Sequence, residues 1–236
     1  MLQKSRGIVL RLIPYSDRQK IVRVFTEDFG SRSMVFGTGG KTGKAMLSLL
    51  QPLQACDLVF FMKPEGLDSL RQTQASFVYQ RLFSEPLKRM QAMFMSEVLY
   101  RCLHHHGEDP DLFQFVFDSL KAFDEEPQMH ADYHLYWLLS LSAKLGFYPE
   151  NNFSETSCRF NPVEGHFTSA LSLQSQQTLP LFESRCMHQL LNHEPLAPMS
   201  REQRNAVLEG ILALYAAHVP SWQELKSLEV LREISL

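Results

Sequence analysis

The spacing of apolar residues changes near residue 84. Before it they come in short runs bounded by turn chemistry; after it they recur every three or four positions. Ile8 to Ile13 is β-branched and apolar, with Arg11 as its one charge, and Pro14-Tyr15-Ser16-Asp17 supplies a turn. Gln19 to Thr26 alternates, with Ile21, Arg23 and Phe25 on one side and Val22 and Val24 on the other. Asp28-Phe29-Gly30 ends that strand, and Ser31 to Phe36 makes a third. Gln54 to Met62 reads as a fourth strand, Lys63-Pro64-Glu65-Gly66 as a turn, and Leu67 to Ala75 as a fifth strand. Between the third and fourth, Ala45 to Leu50 has the composition of one or two helical turns. Five short strands with a helical insert after the third is the order expected of an OB-fold barrel.

Past residue 84 the pattern predicts helices. Ser84-Glu85-Pro86 reads as a start, with Ser84 as N-cap, followed by Leu87, Met90, Phe94, Val98 and Cys102 at helical steps. Asp109-Pro110-Asp111 opens a second helix whose Leu112, Val116, Leu120 and Phe123 share a face. Tyr133 to Leu145 is apolar nearly all round, which predicts the buried centre of a helical domain, with Gly146 just past its end. Ser200-x-x-Gln203 and Ser221-x-x-Glu224 both match capping boxes. Residues 147–180 are rich in Asn, Ser, Thr and Gln and read as an irregular insertion. The expected fold is therefore a multidomain α and β protein. Residues 1–80 form a five-stranded OB-fold barrel, and residues 81–236 an all-α helical domain.

Charge sharpens that division. Residues 1–80 hold eleven Lys and Arg against six Asp and Glu, a net of +5. Residues 81–236 hold twelve against twenty, a net of −8. A basic barrel on an acidic remainder points to a polyanion partner. The four cysteines, at 56, 102, 158 and 186, include no C-x-x-C pair and read as reduced thiols of a cytosolic protein. The charged first residues do not read as a secretory signal, and the run Leu58 to Met62 is too short to cross a bilayer.

Several groups of residues carry candidate chemistry. Arg11, Lys20, Arg23 and Arg32 fall on predicted strands, with Tyr15 in the first turn. Cations and a ring on one barrel face suit single-stranded nucleic acid, whose phosphates attract charge and whose bases stack. Gly40-Lys41-Thr42 sits where a phosphate-binding loop would. The motif needs a glycine five positions before Gly40, where Val35 stands. The segment Gly37 to Lys44 instead reads as a mobile loop carrying Lys41 and Lys44 toward a phosphate backbone. His104, His105 and His106 are consecutive, so on a helix they point about 100° apart and cannot converge on one ion. Cys186-x-His188 supplies only two ligands. The phenylalanines and methionines between Met90 and Phe123 read as core, with enough excess for a groove that takes a partner peptide. Neither G-x-S-x-G nor H-E-x-x-H occurs, so no catalytic residues are assigned.

Two stretches resemble the RecO family of bacterial recombination mediators. One runs from Gly7 through Tyr15 and Thr26 to Gly30: a strand, a Tyr-containing turn, a strand ending Phe-Thr, and a glycine before the third strand. Leu49-Leu50-Gln51-Pro52 fits the same pattern, as do Leu145-Gly146-Phe147-x-Pro149 and, near the end, Leu225 to Leu231. The resemblance implies binding of single- and double-stranded DNA and annealing of complementary strands. It also implies loading of RecA, with RecR, onto strands coated by single-stranded DNA-binding protein (SSB). DNA contacts are then expected at Arg11, Tyr15, Lys20, Arg23, Arg32, Lys41 and Lys44. The acidic, Phe-ending SSB tail would meet an apolar pocket in the helical domain beside a cation such as Arg101, Lys121, Lys144 or Lys226. A cytoplasmic, nucleoid-associated protein without a membrane partner is implied. Many family members carry a four-cysteine zinc site in the insertion. Here that segment, Phe153 to Phe160, holds only Cys158, with Cys186 beyond it, so no zinc and no other cofactor is expected. Phe160, Phe167 and Leu171 are then expected to anchor the insertion by packing. The rival readings are a protein-interaction adaptor that binds no DNA and a phosphate-loop enzyme built on Gly37 to Lys44.

Overall fold

The computed structural model describes residues 1–128, 130–169, 178–220 and 222–233. The chain forms two compact units, Met1–Pro127 and Gln128–Leu236. The expected division at residue 80 marks the change from strands to helices. The first packing unit runs further, because two helices fold onto the barrel.

That barrel consists of β1 (Leu2–Ser16), β2 (Gln19–Thr26), β3 (Gly30–Gly37), β4 (Ala55–Phe61) and β5 (Asp68–Ala75), closed in the order β1-β2-β3-β5-β4. β1 is long enough to pair twice, its first half with β4 and its second with β2. Where the pairings overlap, Gly7 lies so close to its neighbours that an added Cβ would fall 2.5 Å from Val24 and 2.6 Å from Leu58. The barrel closes through a short parallel contact, Met34 opposite Asp68 and Val35 opposite Ser69. Val9, Val22, Val24, Met34, Leu58 and Phe60 fill the interior, each contributing about 1.5–3 kcal/mol by leaving water. As the alternation predicts, Val22 and Val24 point inward. Phe25, on the opposite side of β2, is buried too, against His106 and Phe113.

A correction concerns residues 37–44. The expected mobile loop is ordered from Gly40 onward as helix α1 (Gly40–Leu49), which places Lys41 and Lys44 in its first turns. Gly43 allows this: a Cβ there would meet the Gly37 carbonyl at 2.5 Å.

Helices α2 (Pro86–Leu103) and α3 (Pro110–Glu125) complete the first unit. Ser84 is not the N-cap of α2; Glu85 holds that position, and the Ser84 hydroxyl donates to the Gln80 carbonyl at 2.8 Å. The reason is a preceding turn fixed by Asp124. This buried carboxylate accepts from the amides of Gln80, Arg81 and Leu82 at 2.9, 2.8 and 2.6 Å. Lys88, only 1% exposed, sends its ammonium to the carbonyls of Phe123, Asp124 and Glu126 at 2.8, 2.9 and 2.6 Å. It thereby caps the C-terminus of α3, where carbonyls lack intrahelical donors and the dipole favours a cation. Asp109 caps the other end of α3 through the Leu112 amide, as the sequence predicts.

The second unit centres on α4 (Tyr133–Lys144), whose Leu135, Trp137, Leu138, Leu139 and Leu141 are buried. Gly146 follows with φ +86°, the left-handed conformation a helix exit favours. α5 (Leu181–Leu191) and α6 (Arg201–His218) pack on it, and α7 (Ser227–Glu233) follows in the chain. The capping box at Ser200 and Gln203 is present. The start expected at Ser221 is not where α7 begins; Ser221 lies outside the described residues, and the helix opens at Ser227. Within the insertion, β6 (Arg159–Asn161) and β7 (His166–Thr168) form a hairpin that the irregular reading did not anticipate. Phe160 and Phe167 face each other across it, both buried, with ring centroids 5.1 Å apart. Asn152 brackets Phe167 with two hydrogen bonds, and the Ser184 hydroxyl accepts from the Phe160 amide at 2.9 Å. Leu171, the third expected anchor, lies outside the described residues. Cys158 and Cys186 are unbridged thiols.

Candidate nucleic-acid interface

The barrel cations divide by what surrounds them. Arg11 on β1 and Arg23 on β2 are direct cross-strand partners. Like charges opposite each other are unfavourable in a sheet. Here one ring relieves both. The guanidinium carbons of Arg11 and Arg23 lie 5.1 and 5.6 Å from the centroid of Tyr100, near the end of α2. Arg101 approaches the same ring at 6.0 Å. A cation over an aromatic face gains about 0.5–1 kcal/mol where water has access. α2 is pinned at this distance from the barrel by the Ser96 hydroxyl on the Leu10 carbonyl, 3.3 Å, and by the Ser31 amide on the His106 carbonyl, 2.9 Å. Gly30 makes the second contact possible: its φ is +63° and a Cβ would fall 2.3 Å from Gly107.

Other cations are spent internally. Arg32 grips Asp68 with both nitrogens, 2.8 and 3.0 Å, and Asp68 is 1% exposed. Its guanidinium therefore neutralises a buried carboxylate. Arg6 pairs with the half-buried Glu27 at 2.7 and 2.6 Å, and lies over Phe113 and Phe117 of α3. Their mutual hydrogen bond lowers the Glu27 pKa and raises that of Arg6.

Of the remaining expected residues Tyr15, Lys41 and Lys44 are exposed and Lys20 is half-buried. Tyr15, at the end of β1, is 57% exposed. Lys20 sits on β2 opposite Pro14 and Phe36. Lys41 and Lys44 are exposed on α1, which packs on β5. The structure thus brings Arg11 and Arg23 together on one ring, ties Arg32 to a carboxylate, and holds Lys41 and Lys44 on a separate element.

Sequence reasoning did not assign Tyr100 or Lys63 to this face, and weighed His104 and His105 only as metal ligands or helix-end cations. These two histidines, with Arg23, Ser31, Ser33 and Lys63, line a cleft of about 270 Å³ beside the Arg32–Asp68 pair. Helical spacing carries the missed signal: Glu97, Tyr100, Arg101 and His104 recur at three and four on the polar side of α2. Among the described residues no group of three or more His, Cys, Asp or Glu is placed to hold a metal ion. No helix of the described residues is long and apolar enough to cross a membrane.

Of the four cations expected near a partner peptide, Arg101 pairs with Glu97 at 3.7 Å, and Lys121 approaches Glu125 at 3.9 Å and the Phe77 ring at 5.7 Å. Lys144 closes α4, and Lys226 is exposed just before α7. The second unit also holds an apolar pocket of about 430 Å³, lined by Phe153, Phe182, Cys186 and Met199, with Arg185 and His188 at its wall.

Comparison with known proteins matches these features end to end. The family model described as Recombination protein O N terminal matches residues 1–79, and Recombination protein O C terminal matches residues 84–234. A protein named DNA repair protein RecO from Phocaeicola vulgatus is 31% identical over 239 residues, covering 99% of each chain. The protein of that name from Bacteroides fragilis is 31% identical over 241 residues with the same coverage. The one from Flavobacterium psychrophilum is 25% identical over 236 residues, 98% of each. A closed OB-type barrel, the helices that follow it and full-length matches to both family models lead to one assignment: the chain belongs to the RecO family.

Proposed function

We propose that this protein is a DNA-binding recombination mediator without a catalytic centre. It anneals complementary strands and, with RecR, helps load RecA onto single-stranded DNA coated by SSB. The observation that carries the reading is the pair Arg11 and Arg23, set opposite each other on β1 and β2 and sharing the Tyr100 ring. Two like charges held side by side are a standing cost that an anionic ligand removes. Phosphates of single- or double-stranded DNA meet these guanidinium groups, with Lys20, Lys41 and Lys44 extending the contact. Tyr15 is exposed enough to stack on an unpaired base, which contributes about 1–3 kcal/mol. Arg32 acts indirectly, by fixing Asp68 and the turn that carries Lys63.

The pocket around Phe182 and Arg185 offers the chemistry for an SSB tail: an apolar hollow for a terminal phenylalanine and a cation for its carboxylate. Arg185 thereby joins Arg101, Lys121, Lys144 and Lys226 as a candidate for that contact.

The test is fluorescence anisotropy of a labelled oligo-dT at low and moderate salt. Binding that weakens steeply with salt, through release of counterions from the strand, is the expected result. Absence of binding at low salt overturns the DNA reading and leaves a protein-interaction adaptor.

A further inference from the structure

The cleft beside Tyr100 has features that a merely solvated surface does not need. Arg23 Nε is buried and has no hydrogen-bond partner among the described residues. Its guanidinium already faces Arg11 across the strands and Tyr100 from the side. His104 is stacked on Tyr100, ring centroids 5.5 Å apart at 27°, and His105 lies 4.0 Å from His104. Burial, His105 and Arg23 together hold the His104 pKa below its ordinary value. His104 Nδ1 lies 3.3 Å from the Arg101 carbonyl, which can only accept. Nδ1 therefore carries the hydrogen, and Nε2 is the atom left to take a proton.

The groups facing this pair are mostly cationic. β2 contributes Arg23, and the β4–β5 turn contributes Lys63. β3 contributes Arg32, neutralised by Asp68 of β5. Arg11 of β1 lies across the Tyr100 ring. On α2 itself Arg101 is matched by Glu97, and past the helix end His106 pairs with Asp109 at 3.3 Å. No carboxylate among the cleft-lining residues is left to balance Arg23 and Lys63, because Asp68 is taken by Arg32. Ser31 and Ser33 add short hydroxyl-bearing side chains to the wall.

We propose that this cleft is an oxyanion site that takes a phosphate group, with Arg23 and Lys63 as fixed charges, His104 as the group that gains a proton together with the anion, and His105 beside it in the wall. The proposal rests on the DNA-binding reading and deepens it: the phosphate is a phosphodiester of the bound strand. A free phosphate has the same chemistry, and the test separates the two. An anion in the cleft offsets the cationic repulsion that adds to burial in lowering the His104 pKa, so binding raises that pKa. By linkage, affinity for the anion then rises as the pH falls through the histidine range.

Two arms test this on the full chain. In the first, sulfate is titrated while the histidine C2–H resonances are followed by NMR at about pH 6 and about pH 8. Sulfate stays a dianion throughout, so any pH dependence belongs to the protein. The expected result is sulfate-dependent shifts of the His104 and His105 signals, larger at the lower pH. In the second arm, oligo-dT affinity is measured at the same two pH values and constant ionic strength. The wild-type protein is expected to bind about fivefold tighter at the lower pH, within the tenfold per unit that uptake of one proton allows. The double variant His104→Gln, His105→Gln, its fold checked by circular dichroism, should reduce that ratio to under about twofold. Sulfate that leaves both imidazoles unmoved overturns the site, and so does a variant that keeps the full pH dependence. Sulfate binding without any DNA binding leaves an oxyanion site for a free phosphate. That result refutes the assignment to the strand together with the DNA-binding reading, while DNA binding with silent histidines refutes the cleft alone.

Discussion

The two ends of α2 treat positive charge in opposite ways. Near the start, Lys88 is enclosed and gives its ammonium protons to three carbonyls at the end of α3. Toward the other end, Tyr100 gathers Arg11, Arg23 and Arg101 around one ring, and His104 and His105 line an open cleft. Lys88 has the acceptors a lysine needs, so nothing is left for a ligand to satisfy. Arg11 and Arg23 have each other, a ring and water. A buried cation with full hydrogen bonding is part of the scaffold. A cation held beside another cation keeps a charge that an anionic ligand can balance. Lys88 fixes the α2–α3 seam, while the Tyr100 end of the helix is held to the barrel by separate contacts at Ser96 and His106.

The largest effect is expected where charge is closed in. Lys88→Met keeps the volume but removes the ammonium that donates to the carbonyls of Phe123, Asp124 and Glu126. Removing a charge-assisted donor from buried carbonyls costs about 1–3 kcal/mol for each bond lost, partly offset by burying methionine instead of an ammonium. A net loss of about 3 kcal/mol is expected, read from the urea midpoint at unchanged slope. A loss below about 1 kcal/mol would mean that the contacts of Lys88 are not worth more than those of a surface lysine.

A second effect separates the pH behaviour of the cleft from that of the fold. His134 on α4 is buried, and desolvation pushes its pKa down to about 4. Between that value and the ordinary 6.5 the unfolded chain binds a proton and the folded chain does not. Stability is therefore full above the upper value and falls as the pH drops toward the lower one, by about 2 kcal/mol at about pH 5. Comparing urea midpoints of the wild type and His134→Asn at neutral and acid pH isolates this contribution. Equal acid losses in the two proteins would show that His134 is not held neutral. The cleft responds in the reverse sense, since acid strengthens its hold on an anion.

Much of the barrel was legible because period-two alternation, turn residues and a glycine before the third strand all name the same five strands. β2 falls on Gln19–Thr26 as read. The helical starts at Asp109 and Ser200 were legible because a capping side chain is a local signal. Ser84 misled for the same reason: it has the right chemistry, but Asp124, forty residues away, folds the preceding segment into a turn and moves the cap to Glu85. The hairpin Arg159–Thr168 was hidden because its strands are three residues long and are completed by side chains, Asn152 and Ser184, that no periodicity records. At the site, Arg11 and Arg23 were legible as basic strand positions. Their pairing with Tyr100, and the loss of Arg32 to Asp68, depend on contacts between elements far apart in sequence.

Arg23→Glu tests the open end of α2 directly. It places a carboxylate opposite Arg11 and beside His104, turning a repulsive pair into an ion pair and removing one of the two fixed charges of the cleft. Stability should hold or rise slightly, because like-charge opposition is relieved. Affinity for oligo-dT should fall about tenfold at low salt, or about 1.4 kcal/mol, with a shallower salt dependence. A variant that binds as well as the wild type would place the DNA contact elsewhere on the protein.

Lys41→Glu should have the smallest effect, and its size measures how far the interface extends from Tyr100. Lys41 is exposed in the first turn of α1, where the helix dipole disfavours a cation and favours a carboxylate. The substitution should therefore leave the fold intact or stabilise it by about 0.5 kcal/mol. If the strand reaches α1, one lost phosphate contact should weaken binding about threefold and lower the salt slope by about one unit. If affinity is unchanged while Arg23→Glu weakens it, the strand lies on the β1–β2 face alone. A fall at Lys41 larger than at Arg23 would invert the comparison, making the exposed lysines the site and the ring-bound arginines part of the scaffold.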